Sequence, residues 1–167
     1  SLPLLLALIV AVLGALISTR TVPEGGVVTI DGSTSITTTS AQLQWDLNAN
    51  GVYGEIGTAA THGDELGRTV RFQTIGRDGS RLAAGFYPVY FRVVVGGSTV
   101  DSAQTSVQVI NARPVILSAG GPYTAVGSSA TLSASAQDPG GTPTTILWDL
   151  NLNATLAAPT PPRSRTL

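Results

Sequence analysis

Hydrophobic and polar residues alternate along this chain in short runs broken by turn residues, the pattern of half-buried strands and not of helices. Ala41-Gln42-Leu43-Gln44-Trp45 puts Ala41, Leu43 and Trp45 on one face and the two glutamines on the other. Before it, Val27–Asp31 alternates well enough for a first core strand and stops at Gly32-Ser33. After it, residues 69–75 turn Val70, Phe72 and Thr74 inward, and Gly76-Arg77-Asp78-Gly79 reverses the chain. The strongest run is residues 86–95, where Tyr87, Val89, Phe91 and Val93 share one face and Tyr90, Arg92 and Val94 the other. Gly96-Gly97 predicts a hairpin turn to a partner strand at Thr105–Ile110, in which Val107 and Val109 keep step. Asn111-Ala112-Arg113-Pro114 reads as a linker whose proline stops that strand, and Val22-Pro23-Glu24-Gly25-Gly26 reads as a connector in front. Short strands at this spacing predict an all-β fold, an Ig-like antiparallel β-sandwich over residues 21–111 with Leu43, Trp45, Phe72, Val89, Phe91 and Val93 in its core.

The plan then restarts. Trp45-Asp46-Leu47-Asn48 returns as Trp148-Asp149-Leu150-Asn151, Ile146-Leu147-Trp148 parallels the run into Trp45, and residues 129–135 alternate as the counterpart of Val27–Asp31. Trp148 is therefore expected to be a second core anchor. Residues 154–167 carry Pro159, Pro161 and Pro162 with no alternation, so 112–167 reads as an incomplete second unit with an irregular tail. Half a sandwich has an apolar sheet face and open edges, and is expected to be marginal by itself.

In front of both units, residues 2–17 are almost wholly apolar and Arg20 closes the run. Its length lies between the apolar region of a secretory signal and a membrane-spanning helix, so residues 1–20 read as a hydrophobic helix that is a signal remnant or a retained anchor, ahead of a buried soluble helix, which the lack of a polar face disfavours. The start with Ser1 and the lack of a preceding basic region read as truncation or processing; Gly14-Ala15 offers small residues for cleavage, with Leu13 a poor match ahead of them. Either reading sends the following residues out of the cytoplasm, to the cell surface or beyond, with the membrane itself a partner of residues 2–17 if they are kept.

Composition narrows the function. Charged residues are only 11%, the net charge is -1 and the basic residues, all arginine, are scattered, which argues against nucleic acid as a partner. The chain has no cysteine, so disulfides and thiolate metal sites are excluded.

At the doubled Trp-Asp motif the chain resembles the PKD domain, an Ig-like module of bacterial and archaeal surface proteins and of some secreted hydrolases. The family carries Trp-Asp-Phe-Gly-Asp-Gly after its core strand; Trp45-Asp46 and Trp148-Asp149 match, while Leu47-Asn48 and Leu150-Asn151 depart from it. Gly120-Gly121-Pro122-Tyr123 and Asp138-Pro139-Gly140-Gly141 resemble the family's opening and mid-loop motifs, and residues 86–95 its aromatic-rich penultimate strand. The resemblance covers 21–111 wholly and 112–153 in part. It implies a non-catalytic extracellular spacer or adhesion module whose partners are other repeat domains. Two alternatives stay open: a polysaccharide-binding accessory domain of a secreted hydrolase, and a filament subunit completed by a neighbour's strand.

Two places hold candidate chemistry. Asp46, Asn48, Asn50 and Gly51 fit the first positions of a calcium loop, in which alternate oxygen donors surround a hard cation. The closing acid is missing: position twelve is Gly57, and Glu55 falls two residues short. Capping of a turn by these Asp and Asn side chains is the stronger reading. His62, beside Asp64 and Glu65, is a lone histidine with neither a second histidine nor a nucleophile pattern, so a solvated loop is expected and catalysis is not.

Overall fold

The computed structural model describes residues 18–32, 40–101, 104–127 and 129–150. The hydrophobic segment 1–17 and the tail 151–167, which includes the second motif's Asn151 and Asn153, lie outside the described residues. The described chain is all-β. Its helical content is one 3-10 turn at Gly57–Ala59, and no helix among the described residues is long and apolar enough to cross a membrane. The chain divides into two compact units, residues 1–112 with 139–141, and residues 113–138 with 142–167.

The first unit contains β1 (Arg20–Pro23), β2 (Val27–Asp31), β3 (Gln42–Asp46), β4 (Thr69–Gln73), β5 (Gly85–Val95), β6 (Ser98–Asp101) and β7 (Thr105–Ile110). A five-stranded sheet runs β1-β7-β5-β3, with β6 also on β5, and β2 and β4 form a separate antiparallel pair. Alternation decides which side chains enter the core, because successive residues of a strand point to opposite faces. Leu43 and Trp45 face Val93 and Phe91 across the β3–β5 ladder, and Ile30 faces Val70 across β2–β4. These residues, with Leu47, Phe72, Val89, Val107 and Val109, form one buried cluster drawn from both sheets. Trp45 and Phe91 lie with ring centroids 4.5 Å apart.

Two strands of this unit escape the sequence reading. Arg20–Pro23 is β1 and pairs in parallel with β7, Val22 opposite Val109; Arg20, expected to close the hydrophobic helix 1–20, and Val22-Pro23, expected to open a connector, are strand residues instead. Of its four residues only Val22 is buried, so no alternation marks it; the edge of β7 is what makes it a strand. Glu24, next in the chain, is buried, and its carboxylate accepts from the backbone N–H of Ala84 at 2.8 Å and of Ala112 at 3.0 Å. The partner of β5 also begins earlier than expected. β6 leaves the Gly96-Gly97 turn, where φ is +55° and +80°, the left-handed pair that a two-residue hairpin of this kind needs.

The second unit departs further from expectation. β8 (Val115–Ser118) pairs with β9 (Ser135–Gln137) in an antiparallel two-stranded sheet. Residues 129–134 form no named strand although they alternate, and neither do residues 146–148. An alternating run becomes a strand only when another strand accepts its hydrogen bonds, and β2 finds that partner in β4. Among the described residues of the second unit nothing pairs with 129–133 as β4 does. Trp148 is accordingly half-buried, a correction to its expected role as a core anchor. Ile116 is 71% and Leu150 76% exposed, so the described residues of this unit do not form a closed core like that of the first.

Candidate functional site

β3 ends in a long loop that folds back on its own strand. Trp45 N–H donates to the Glu65 carbonyl at 2.8 Å, Gly67 N–H donates to the Leu43 carbonyl at 3.0 Å, and Trp45 Nε1–H donates to the Gly67 carbonyl at 2.9 Å. Residues 65–67 therefore cover the edge of β3, which would otherwise be open.

The oxygens of the Asp46 motif are used inside this loop. Asp46 Oδ1 accepts from Asn50 N–H at 3.1 Å and Oδ2 from Gly51 N–H at 2.8 Å. Asn48 Oδ1 also accepts from Asn50 N–H, and Asn50 Oδ1 accepts from Val52 N–H at 2.7 Å. Both asparagine amides donate to Glu55 Oε2, at 3.2 and 2.9 Å. This network holds Ala49 at φ +57°, a left-handed conformation that L-residues adopt at a cost and that Asx capping supports. Asp46→Ala is expected to cost about 1–2 kcal/mol by orphaning two backbone donors. Thermal unfolding measures it, and an unchanged midpoint would contradict the capping role. Adding millimolar calcium to the wild type in the same measurement is expected to leave the midpoint in place, whereas an upward shift would make the motif a cation site.

Beneath the loop lies Glu65, fully buried. Its Oε1 accepts from Leu47 N–H at 2.8 Å and its Oε2 from Glu55 N–H at 3.2 Å. Burial pushes its pKa up from 4.5 to about 7; the two backbone N–H bonds oppose this, and the charges of Glu55 and Asp46 add to it. A sequence gives no reason to bury this acid over its neighbours, and it was not among the expected site residues. Its partners are backbone groups brought close only by the fold.

His62 corrects the expectation of a solvated loop. It is buried, stacks on Phe72 with centroids 5.4 Å apart, and its Nδ1 lies 2.9 Å from the Gln73 carbonyl. A carbonyl only accepts, so Nδ1 carries the proton and the ring fastens the loop to β4. Asp64 faces the other way: its carboxylate pairs with Arg77 at 2.7 Å, and this hydrogen bond holds its pKa below the usual carboxylate value. Among the described residues no three His, Cys, Asp or Glu side chains gather as a metal-binding group. Asp46, Asn48 and Asn50 are thus together, while His62 and Asp64 point to opposite sides of the loop.

Between the loop and β4 runs a cleft of about 380 Å³, lined by Asp64, Leu66, Thr69, Arg71, Gln73 and Arg77. The alternation of β4 puts Thr69 and Arg71 outward, but only the returning loop creates the opposite wall. No protein-family model matches the chain, and no curated protein matches it in sequence.

Proposed function

We propose that the first unit is an Ig-like β-sandwich of the PKD type and that the chain is a non-catalytic module working outside the cell, as a spacer or adhesion part of a surface repeat protein. The pairing order carries this reading: β1-β7-β5-β3 in one sheet and β2-β4 in another is compatible with an Ig-like sandwich. A buried tryptophan on β3, the strand that pairs with the aromatic-rich β5, supports it. So does Tyr87 near the start of β5, whose O–H donates to the Ala83 carbonyl at 2.8 Å, four residues upstream, in the manner of a tyrosine corner. The apolar run 2–17 supports a place outside the cytoplasm. The cleft beside β4 favours a module that makes contacts over a bare spacer.

An alkaline phosphatase fusion tests the location, because this reporter becomes active only after export. Residues 1–167 fused ahead of it are expected to give activity in a bacterial host, and deletion of 1–20 to abolish it. An inactive full-length fusion that a known export signal rescues would overturn the reading.

A further inference from the structure

The cleft beside β4 holds polar side chains that neither the core nor the Asp46 network uses. Val70 and Phe72 enter the core, so Thr69, Arg71 and Gln73 fall on the other side of the strand. The opposite wall is fixed by backbone. Gln73 N–H donates to the His62 carbonyl at 2.8 Å, and Gly63, at φ +127°, sits where a Cβ would meet the Arg71 carbonyl. The cleft is thus preformed, and its volume of about 380 Å³ suits a small ligand or one residue of a polymer.

Its charge is uneven. Arg77 and Asp64 form an ion pair. The Arg71 side chain is exposed and makes no hydrogen bond or ion pair among the described residues; the carboxylate that β2 adds to the same face, Asp31, accepts from Thr69 Oγ1. A guanidinium fork binds a carboxylate through two parallel hydrogen bonds. Around it, Asp64 Oδ2 can accept from a hydroxyl, the Gln73 amide can donate and accept, and Leu66, 48% exposed, offers an apolar surface. A ligand that matches all of these carries a carboxylate, neighbouring hydroxyls and one apolar ring face.

We infer that the cleft beside β4 binds acidic polysaccharide, with a uronic acid carboxylate on Arg71, ring hydroxyls on Asp64 and Gln73, and a sugar face on Leu66. An acidic peptide would present the carboxylate without those hydroxyls. This inference rests on the reading of the first unit as a contact module outside the cell.

The test is affinity electrophoresis of the full chain through gels containing polygalacturonate, alginate, dextran or polyglutamate. Retardation is expected with the two uronates alone, weakening as salt rises because the contact is charged. The chain's net charge of -1 gives it no general attraction to a polyanion. Arg71→Gln is expected to lose about tenfold or more in uronate affinity with its melting unchanged, since a hydrogen bond to a charged group is worth at least that much. Arg71→Lys, which keeps the charge without the fork, should retain part. Wild type that runs unretarded, an Arg71→Gln variant that binds as well as wild type, or equal retardation by dextran or polyglutamate would each overturn it. An exported fusion that binds no uronate sinks the cleft alone, whereas uronate binding without export sinks the extracellular reading alone.

Discussion

Trp45→Ala is expected to destabilise the first unit by about 3–5 kcal/mol, the usual cost of emptying a large aromatic site in a core. The side chain is fully buried, rests against Phe91 and donates its Nε1–H to the Gly67 carbonyl. Truncation therefore leaves a cavity and also removes a tie between β3 and the segment that covers its edge. Collapse into the space is limited from the other side by the backbone at Gly32, where even a methyl group would come within 3.0 Å of the indole. Small domains hold about 5–15 kcal/mol in all, so the variant is expected to lose about a fifth of its margin or more. Denaturant unfolding followed by Trp and Tyr fluorescence measures this, and a loss under 1 kcal/mol would show that Trp45 is not the anchor described.

Glu65 supplies the second large effect, and it depends on pH. Glu65→Ala orphans the buried N–H groups of Leu47 and Glu55 together and is expected to cost about 2–4 kcal/mol. In the wild type the folded-state pKa is raised from 4.5 to about 7. Between these values the folded state keeps a proton that the unfolded chain has released. The contribution is thus fully present below pH 4.5 and is lost as pH rises toward about 7. At about 1.4 kcal/mol per unit, the fall across the window is on the order of 3 kcal/mol. Asp64 and Asp101, whose arginine partners hold their pKa values below 3.8, titrate under that window and do not mask it. Unfolding midpoints at pH 5 and pH 8 are therefore expected to fall for wild type and to stay level for Glu65→Gln, which keeps one acceptor and cannot ionise. Wild-type stability that climbs over the same range would reverse the assignment.

Most of the first unit's core was legible because alternation carries direct information about burial. Leu43, Trp45, Phe72, Val89, Phe91 and Val93 are all buried, and each sits in a run whose neighbours are polar or turn outward. What was hidden depended on distant partners. β1 is held by β7, and its own residues include an arginine, a threonine and a proline. Glu65 and His62 are polar types that are mostly found outside, and only the returning loop gives their polar atoms backbone partners. Trp148 shows the converse, since a residue pattern copied from Trp45 stays half-buried where, among the described residues, no strand like β5 lies across from it.

The parallel pairing of β1 with β7 has a mechanical side. The chain comes into the first unit along Arg20–Pro23 and goes out along Thr105–Ile110, the two running in the same direction. Tension applied through the two ends therefore drags these strands past one another lengthwise. The registers from Arg20↔Val107 to Pro23↔Ile110 resist together instead of opening one after another from an end. Glu24, bonded to Ala112 just beyond β7, adds a clasp at the exit. A unit strung this way carries load in shear.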